Sequence, residues 1–484
     1  MQPRPASTLA LLRDTGQGLE VLMLQRTLKA VFMPGFYVFP GGAVDDGDRD
    51  LARAGHLQRH DDDSASALLG LPEGGGLGYL VAAVRECFEE SGMLLARDSA
   101  GQWLDGGHPV MDGRWAVGSG EADLGDLCRS HGLTLSLESI AYLDHWVTPP
   151  GPPRRFDTRF FAAVAPPNQV PAHDGEETID HIWIRPQDAL EDRRQGRREF
   201  ATPTVSVLRK LSEFASVDEV LAYARDRRPQ AFPTQPWPAR KGDEVVYIEP
   251  GRPAYDEVCK LDPEGKGSAQ ARLEAGLWVA LSNHVSRLTL NAGANDGGPG
   301  FNSYLVRAGE QALVVDPVIE GRDDLHALLE ACDGVLSTIV LTRPRQQQAA
   351  ARALQTATGA RILGVAGPAD RRLAGPADRR LAHGEPHRLG GLTLKLLHTP
   401  GQADDHQCLL IQEEGMLFSG TAVLERSIAK GYLPAADVDA YVAGLARLLE
   451  EDLHWIAPGR GFLMGQPQKV LDHLMTQCLS KVQR

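Results

Sequence analysis

No apolar run in this chain approaches the length of a membrane-spanning helix, which argues against a helical integral membrane protein. Cysteine is scarce and scattered: Cys87, Cys128, Cys259, Cys332, Cys408 and Cys478 contain no Cys-x-x-Cys pair. That spacing argues against a disulfide framework or a zinc knuckle, and for a reducing compartment. Long basic runs are missing too. Asp and Glu number 64 against 50 Lys and Arg, a net charge of −14. An acidic chain without a basic stripe is a poor partner for nucleic acid or for an anionic membrane surface. Met1 to Ser7 lacks the charged and apolar regions of a signal peptide, so a soluble, cytoplasmic protein is expected. At 484 residues, 42% hydrophobic and 24% charged, the chain is globular and too long for one core. Two domains are expected.

Hydrophobic patterning predicts strands at Ala6–Arg13 and Leu19–Arg26, joined by a turn at Thr15–Gly18, and another at Val38–Phe39. From Asp45 to Gly78 the residues are mostly Asp, Gly and small, with a weak helical patch near Leu51–Leu57. The stretch of about 49–78 reads as an insertion, which closure entropy tolerates cheaply. A helix is predicted over Tyr79–Ser91. Strands follow at Ser136–Val147, Phe156–Ala165 and His181–Ile184, then helices at Ala201–Ala215 and Val217–Arg225. Four prolines between Pro229 and Pro238 mark a linker of about 229–242. It separates a first domain, 1–238, from a second, 243–484. The second half predicts strands at Val285–Leu290, Asn302–Val306, Ala312–Asp316 and Thr338–Thr342, with a helix at Asp323–Cys332. Such alternation suggests a layered α/β domain. The octapeptide at Gly367–Ala374 recurs unchanged at Gly375–Ala382. One tandem copy is too short for a solenoid and reads as a duplication in a loop or short helix.

The most informative stretch is Arg85-Glu86-Cys87-Phe88-Glu89-Glu90-Ser91-Gly92-Met93. Glu86, Glu89 and Glu90 fall at i, i+3 and i+4, so they share one helix face. Like charges at that spacing repel. Taken alone, such a triplet is most often a salt-bridged surface. Hard divalent cations would neutralise it, because Mg²⁺ prefers carboxylate and phosphate oxygens. Arg85 can pair with Glu89 one turn on, and Gly92 stands where a helix-ending glycine belongs. Upstream, Val38-Phe39-Pro40-Gly41-Gly42 runs from an apolar strand into a glycine turn.

Together these pieces resemble the Nudix box of the Nudix hydrolases. That box has a glycine, five residues and an acid, then, after seven more, Arg-Glu-apolar-any-Glu-Glu-any-Gly-apolar. Gly42 fits the glycine and Arg85–Met93 fit every defined position of the second half. Asp48 stands where the family has glutamate, and 36 residues rather than seven separate it from Arg85. Leu24–Thr27, Phe32–Gly35 and Arg155–Phe161 look like the Nudix enzymes related to the peroxisomal coenzyme A diphosphatases, which also carry an insertion in the box. The likeness runs from about Pro5 to Leu211 and implies an α/β/α sandwich. It also implies Mg²⁺- or Mn²⁺-dependent hydrolysis of coenzyme A or acyl-CoA to 3′,5′-ADP and (acyl-)phosphopantetheine. No Ser-Lys-Leu ends the chain, so a peroxisomal address does not carry over.

On that resemblance the expected metal ligands are Glu86, Glu89, Glu90 and, less directly, Asp48. Catalytic roles are expected for Glu89, Glu90, Arg85 and Glu177, the last from the Asp174–Glu177 turn that also holds Glu176. Gly41, Gly42, Arg26 and Arg155 are expected to contact substrate, with Arg154 a further phosphate candidate. The alternatives are ADP-ribose or another nucleoside diphosphate as substrate, or a non-catalytic ligand-binding or regulatory protein.

Val285–Asn291, Gly300–Val306, Leu313–Pro317, Leu397–Gly401, Leu417–Gly420 and Ala457–Gly461 resemble a metallo-β-lactamase-fold hydrolase, an αββα sandwich. That family binds two metals through a His-x-His-x-Asp-His run and three later ligands. Here the run reads Arg343-Pro344-Arg345-Gln346-Gln347-Gln348, and the later positions hold Gln402, Thr421 and Arg460. Arginine is a fixed cation and cannot ligate. His398 and His406 remain, as isolated histidines. Arg343, Arg345 and Arg460 could line the old cavity and attract an anion. The expectation is an α/β and α+β two-domain protein. Its second domain lacks a binuclear centre and supports, regulates or, as a homodimer interface, pairs the first.

Overall fold

Strand β1 (Arg4–Thr15) is buried on both faces along its middle, the pattern of a central strand. In the computed structural model it turns through Gly16 and Gln17 into β2 (Gly18–Arg26), with Thr15 opposite Gly18. The structure describes residues 2–30, 33–53, 61–225, 233–290, 300–366, 377–425 and 437–482. There follow β3 (Tyr37–Val38), β4 (Gly41–Ala43), α1 (Asp46–Arg53), α2 (Asp62–Leu69) and α3 (Gly76–Ser91). Next come β5 (Ala96–Arg97), α4 (Arg114–Gly118), α5 (Leu124–Ser130), β6 (Thr134–Leu135), β7 (Ala141–Val147), β8 (Phe156–Val164) and β9 (Thr178–Ile184). The unit ends in α6 (Pro186–Arg194), α7 (Thr202–Leu211) and α8 (Val217–Arg225).

The main sheet runs β3-β2-β1-β8-β7, with β4 on β1 and β9 on β2. Leu9, Leu11 and Phe161 pack on Leu80, Val84 and Phe88 of α3. Ala10, Leu12 and Phe160, on the opposite face, pack on Val207, Leu208 and Val220 of α7 and α8. Helices on both faces of one sheet make the α/β/α sandwich. It brings the glycine turn of β4 against α3 by antiparallel pairing with β1, Ser7 opposite Gly42.

Helix α3 forms because Leu80, Val81, Val84, Cys87 and Phe88 recur at helical spacing and are all buried. Gly92 ends it at φ +71°, and its N–H donates to Phe88 O at 2.9 Å. Its start is set from outside. Asp62 of α2 accepts Gly75 N at 2.7 Å and Leu77 N at 2.9 Å, and Ser66 Oγ accepts Gly76 N at 2.9 Å. Those N–H groups have no intrahelical partner, and a carboxylate there also complements the helix dipole. The helix therefore begins three residues before the expected Tyr79. The insertion is a structural part of the unit rather than a tolerated loop. Replacing Asp62 by Ala should cost about 1–2 kcal/mol in urea unfolding of the full chain; an unchanged midpoint would show that α2 does not cap α3.

Other expectations shift in informative ways. Ser136–Val147 is not one strand: a 3₁₀ turn at Leu137–Ser139 interrupts it before β7. Of the helical patch at Leu51–Leu57, residues through Arg53 belong to α1 and 54–60 lie outside the described residues. So does Phe32 of the Phe32–Gly35 motif.

Two compact units result, Met1–Pro236 and Trp237–Arg484. Of the predicted linker, 229–232 lie outside the described residues, and Pro238 lies in a strand, β10 (Trp237–Lys241). It pairs with β11 (Glu244–Ile248), and α9 (Tyr255–Leu261) follows. The next strands and helices are β12 (Trp278–Ala280), β13 (Val285–Leu290), β14 (Phe301–Ala308), β15 (Gln311–Val315), α10 (Arg322–Cys332), β16 (Leu336–Val340), α11 (Gln348–Thr358), β17 (Arg361–Val365) and β18 (Arg379–Leu381). They build a seven-stranded sheet in sequence order. A five-stranded sheet holds β19 (Pro386–Leu389), β20 (Leu392–His398), β21 (Gln407–Ile411), β22 (Met416–Gly420) and β23 (Trp455–Pro458). Between them Tyr304, Leu313 and Val340 meet Leu394, Leu409 and Phe418. The outer faces bury against α10 and α11 on one side. On the other they bury against α12 (Val438–Leu449) and α13 (Pro467–Val482). This is an αββα sandwich. The second copy of the octapeptide contains β18, an edge strand paired with β17, where a loop or helix was expected. Pairing with a neighbour overrides weak local propensity there. Residues 367–376, with the first copy, lie outside the described residues.

Candidate active site

Glu86 and Glu90 of α3 lie against the β4 turn, and Glu89 lies beside Arg85 on the same helix. Glu90 is 5% exposed, and its Oε2 accepts Gly41 N at 3.0 Å. Glu86 lies so close to Gly42 that a Cβ there would stand within 2.5 Å of its Cδ. Both glycines are needed for space. At Gly41 a Cβ would meet backbone, Ser7 O and, at 2.7 Å, Thr8 Cα. Gly42→Ala should therefore displace the flexible Glu86 carboxylate, lowering kcat/KM about ten- to a hundredfold at nearly unchanged Tm. Gly41→Ala should instead destabilise the fold by about 1–3 kcal/mol. Matching thermal-melt and activity losses in both variants would contradict this division.

Arg85 is the brace of the cluster. Its Nη1 donates to Glu86 Oε1 at 3.0 Å and to Glu89 at 3.2 Å, and Nη2 donates to Ala43 O at 2.9 Å. Its Nε and Nη2 grip Asp48 at 2.8 and 2.9 Å, a bidentate fork. Asp48 was expected as a metal ligand. Its two oxygens are committed to Arg85 and to Asp45 N, and its side chain is 1% exposed. No open face remains for an ion, so the geometry reassigns Asp48 to holding Arg85. Arg85, expected as catalytic, has its guanidinium donors engaged by Asp48, Glu86, Glu89 and Ala43 O.

The electrostatics explain what the cluster lacks. Burial pushes the Glu86 carboxyl up to about 7, with Arg85 pulling it down and Glu89 pushing it up. Burial, and then Glu86, hold Glu90 well above the carboxylate range. Glu89 is raised as well, chiefly by burial. Arg85 alone does not neutralise three carboxylates. An all-oxygen donor set with uncompensated negative charge fits a hard divalent cation.

The remaining expected residues are partly gathered here. Arg26 lies near enough to pull Glu90 down, and its Nε is buried without a hydrogen-bond partner. Glu177 is exposed and near enough to push Glu90 up. Its turn is fixed by Asp174, whose Oδ1 accepts the N–H groups of Glu176, Glu177 and Thr178. Arg155 donates its Nε to Thr148 O and Pro149 O, within its own loop. Arg154 is exposed. Two groups escaped the sequence. Arg114 of α4 is 8% exposed, donates Nε to Glu89 O at 2.9 Å, and keeps a buried Nη2 without a partner. Nothing in its sequence context marks it. Among the described residues, the one set of three His, Cys or carboxylate donors within 4.8 Å of one another is His173, Asp180 and His181. Two histidines flanking the acidic turn were the available signal.

In the second unit the old ligand positions have closed on one another. Thr421 Oγ1 bonds Gln402 Oε1. Arg460 lies over the Phe301 ring, 3.8 Å from its centroid. Arg345 pairs with Asp405, and Gln347 Oε1 accepts Arg343 N at 3.0 Å. His406 is fully buried; burial, then Arg343, lower its pKa to about 3, and its Nδ1 meets Thr399 Oγ1 at 2.8 Å. His398 bonds Asp404 O at 2.9 Å. Both histidines serve the loop.

Comparison with known proteins matches these features. The family model for the NUDT19 Nudix domain matches residues 59–211, beginning after the glycine turn. An acyl-coenzyme A diphosphatase, NUDT19 of Xenopus laevis, is 27% identical over 331 residues, 61% of this chain and 83% of that protein. The lactamase-like protein aptB of Emericella nidulans is 29% identical over 183 residues, 36% of this chain and only 56% of that protein. A crystal structure of a NUDIX hydrolase from Alicyclobacillus acidocaldarius overlays with a TM-score of 0.40 at 30% identity, covering 46% of this chain and 96% of that one. The chain thus joins a Nudix hydrolase domain, carrying the carboxylate helix, to a unit of metallo-β-lactamase-like fold.

Proposed function

We propose that the first unit hydrolyses the diphosphate of coenzyme A or an acyl-CoA-like nucleotide, with Mg²⁺ or Mn²⁺ held by Glu86, Glu89 and Glu90. The observation that carries the reading is Glu90, a buried carboxylate with raised pKa beside Glu86, Arg26 and Glu177. When bound, the cation would neutralise the diphosphate and activate water. Arg26, close enough to act on the Glu90 charge, would pair with a phosphate oxygen, and Gly41 and Gly42 make the room that lets Glu86 and β1 pack beside the site. Glu177 takes the proton of the attacking water at the rim. A bridging P–O bond breaks as the new P–O bond forms, giving 3′,5′-ADP and (acyl-)phosphopantetheine. Acyl-coenzyme A as substrate is supported by the name of the Xenopus relative. A panel of coenzyme A, ADP-ribose and NADH, with products identified by mass spectrometry, tests it. Cleavage of ADP-ribose but not coenzyme A would replace the substrate, and no turnover of any diphosphate would favour a ligand-binding protein.

The raised carboxylates also give a pH signature. Glu86 has a folded pKa of about 7 against 4.5 when free. Below pH 4.5 it is protonated in both states and contributes nothing. As pH rises toward 7 the unfolded chain ionises first, so folding loses stability, and the loss levels off above 7. Metal-free wild type should fall relative to Glu86→Gln by on the order of 2 kcal/mol across that window. Saturating Mg²⁺ should erase the difference. A flat difference between pH 4.5 and 7 would contradict the raised carboxyl.

For the second unit, we infer a non-catalytic supporting, regulatory or homodimerising role, because Gln402, Thr421 and Arg460 replace ligands and contact each other or a ring.

A further inference from the structure

We propose a second, chemically distinct metal site in the first unit, in which His173, His181 and Asp180 bind a borderline divalent ion of the Zn²⁺ class. The site does not depend on the diphosphatase reading. His173 precedes the acidic turn and His181 lies in β9, opposite Leu24 of β2. Their Nδ1 atoms face each other at 3.3 Å, with ring centroids 5.6 Å apart. That separation is longer than the 2.9–3.0 Å at which N–H···O hydrogen bonds centre. It equals the bite of two imidazoles on one tetrahedral ion: metal–nitrogen bonds of about 2.0–2.1 Å at the tetrahedral angle place the nitrogens about 3.3–3.4 Å apart. A carboxylate oxygen of Asp180 completes a set of three donors within 4.8 Å.

The surroundings hold this arrangement in place. Ala172 N donates to Ser91 O at 2.8 Å, tying the residue before His173 to the end of α3. His181 is fixed by the β2–β9 ladder, and its N–H donates to Asp180 Oδ1 at 2.8 Å. His173 and Asp180 are exposed and His181 half-buried, so ions reach the site from solvent. Three protein donors leave a coordination position for water or for an anionic oxygen. Imidazole selects zinc-like ions, whereas the all-carboxylate cluster on α3 selects Mg²⁺ or Mn²⁺. The two clusters thus sort different classes of ion.

Co²⁺ is the probe, because its visible ligand-field absorption reports nitrogen-containing tetrahedral or five-coordinate sites. The full chain is titrated with Co²⁺ in excess Mg²⁺, which occupies the glutamates. One Co²⁺ per chain with an intense visible band is expected, displaced by Zn²⁺. His173→Ala and His181→Ala should each weaken Co²⁺ at least about tenfold, and Asp180→Asn should weaken it less. Glu90→Gln should keep the band. Unchanged Co²⁺ affinity in His173→Ala/His181→Ala, or a band that Glu90→Gln removes, would overturn the proposal. So would stoichiometric Zn²⁺ in that double variant with none lost from wild type, which would place the ion elsewhere. Far-ultraviolet circular dichroism checks that each variant folds.

Discussion

Glu90→Gln should cut Mg²⁺-dependent turnover of the preferred diphosphate by about a thousandfold or more, while raising the thermal stability of the metal-free protein. The two effects share a cause. Glu90 is a buried carboxylate whose charge is opposed by burial and by Glu86. An amide of the same shape removes the repulsion but also a cation ligand. A metal that supplies several kcal/mol of transition-state stabilisation accounts for losses of that size. The stability gain should read as about 2–4 °C in Tm per kcal/mol for a unit of this length. The gain should disappear when wild type is saturated with Mg²⁺, since ligand binding to the folded state stabilises it. Initial rates and melts with and without Mg²⁺ measure both. Retained turnover would sink the diphosphatase reading. Lost turnover without the metal-free gain would mean that Glu90 is neutralised by something other than a cation.

Asp48→Ala should destabilise the first unit by about 3 kcal/mol, toward the lower end of the 3–5 kcal/mol typical of breaking a buried pair. Arg85 would keep Glu86, Glu89 and Ala43 O, which limits the loss. The same change should weaken Mg²⁺ binding, because a freed guanidinium leans further onto the glutamates and competes with the cation. Urea unfolding gives the first quantity and calorimetric Mg²⁺ titration the second. Were Asp48 a ligand, Mg²⁺ affinity would fall without a comparable loss of metal-free stability. Asp48→Asn, which keeps one acceptor for Arg85, should lie between wild type and Ala.

Much of this was legible in the residues themselves. The spacing of Glu86, Glu89 and Glu90 placed them on one helix face, and Gly92 marked its end correctly. Strand β13 matched its predicted bounds, since a short apolar alternating run leaves little choice. The role of Asp48 was not legible, because nothing local says whether a carboxylate after a long insertion faces an ion or an arginine. Nor was the capping of α3 by Asp62 and Ser66, a contact made across the insertion. Arg114 and the His173–His181 pair depend on which strands and helices become neighbours, and that is a property of the folded chain. The octapeptide copy became an edge strand for the same reason.

The parallel pairing of β1 with β8 sets the order in which this unit can be assembled during synthesis. Leu12 is opposite Val21 in the first hairpin but also opposite Val164 in the sheet centre. At ~5–20 residues per second, roughly 8–30 seconds pass between making Leu12 and making that second partner. Throughout that interval a strand rich in buried leucine has one edge unpaired, the condition under which strands seek wrong partners. The β8-facing edge of β1 is therefore most open to mispairing before Phe156–Val164 has been made.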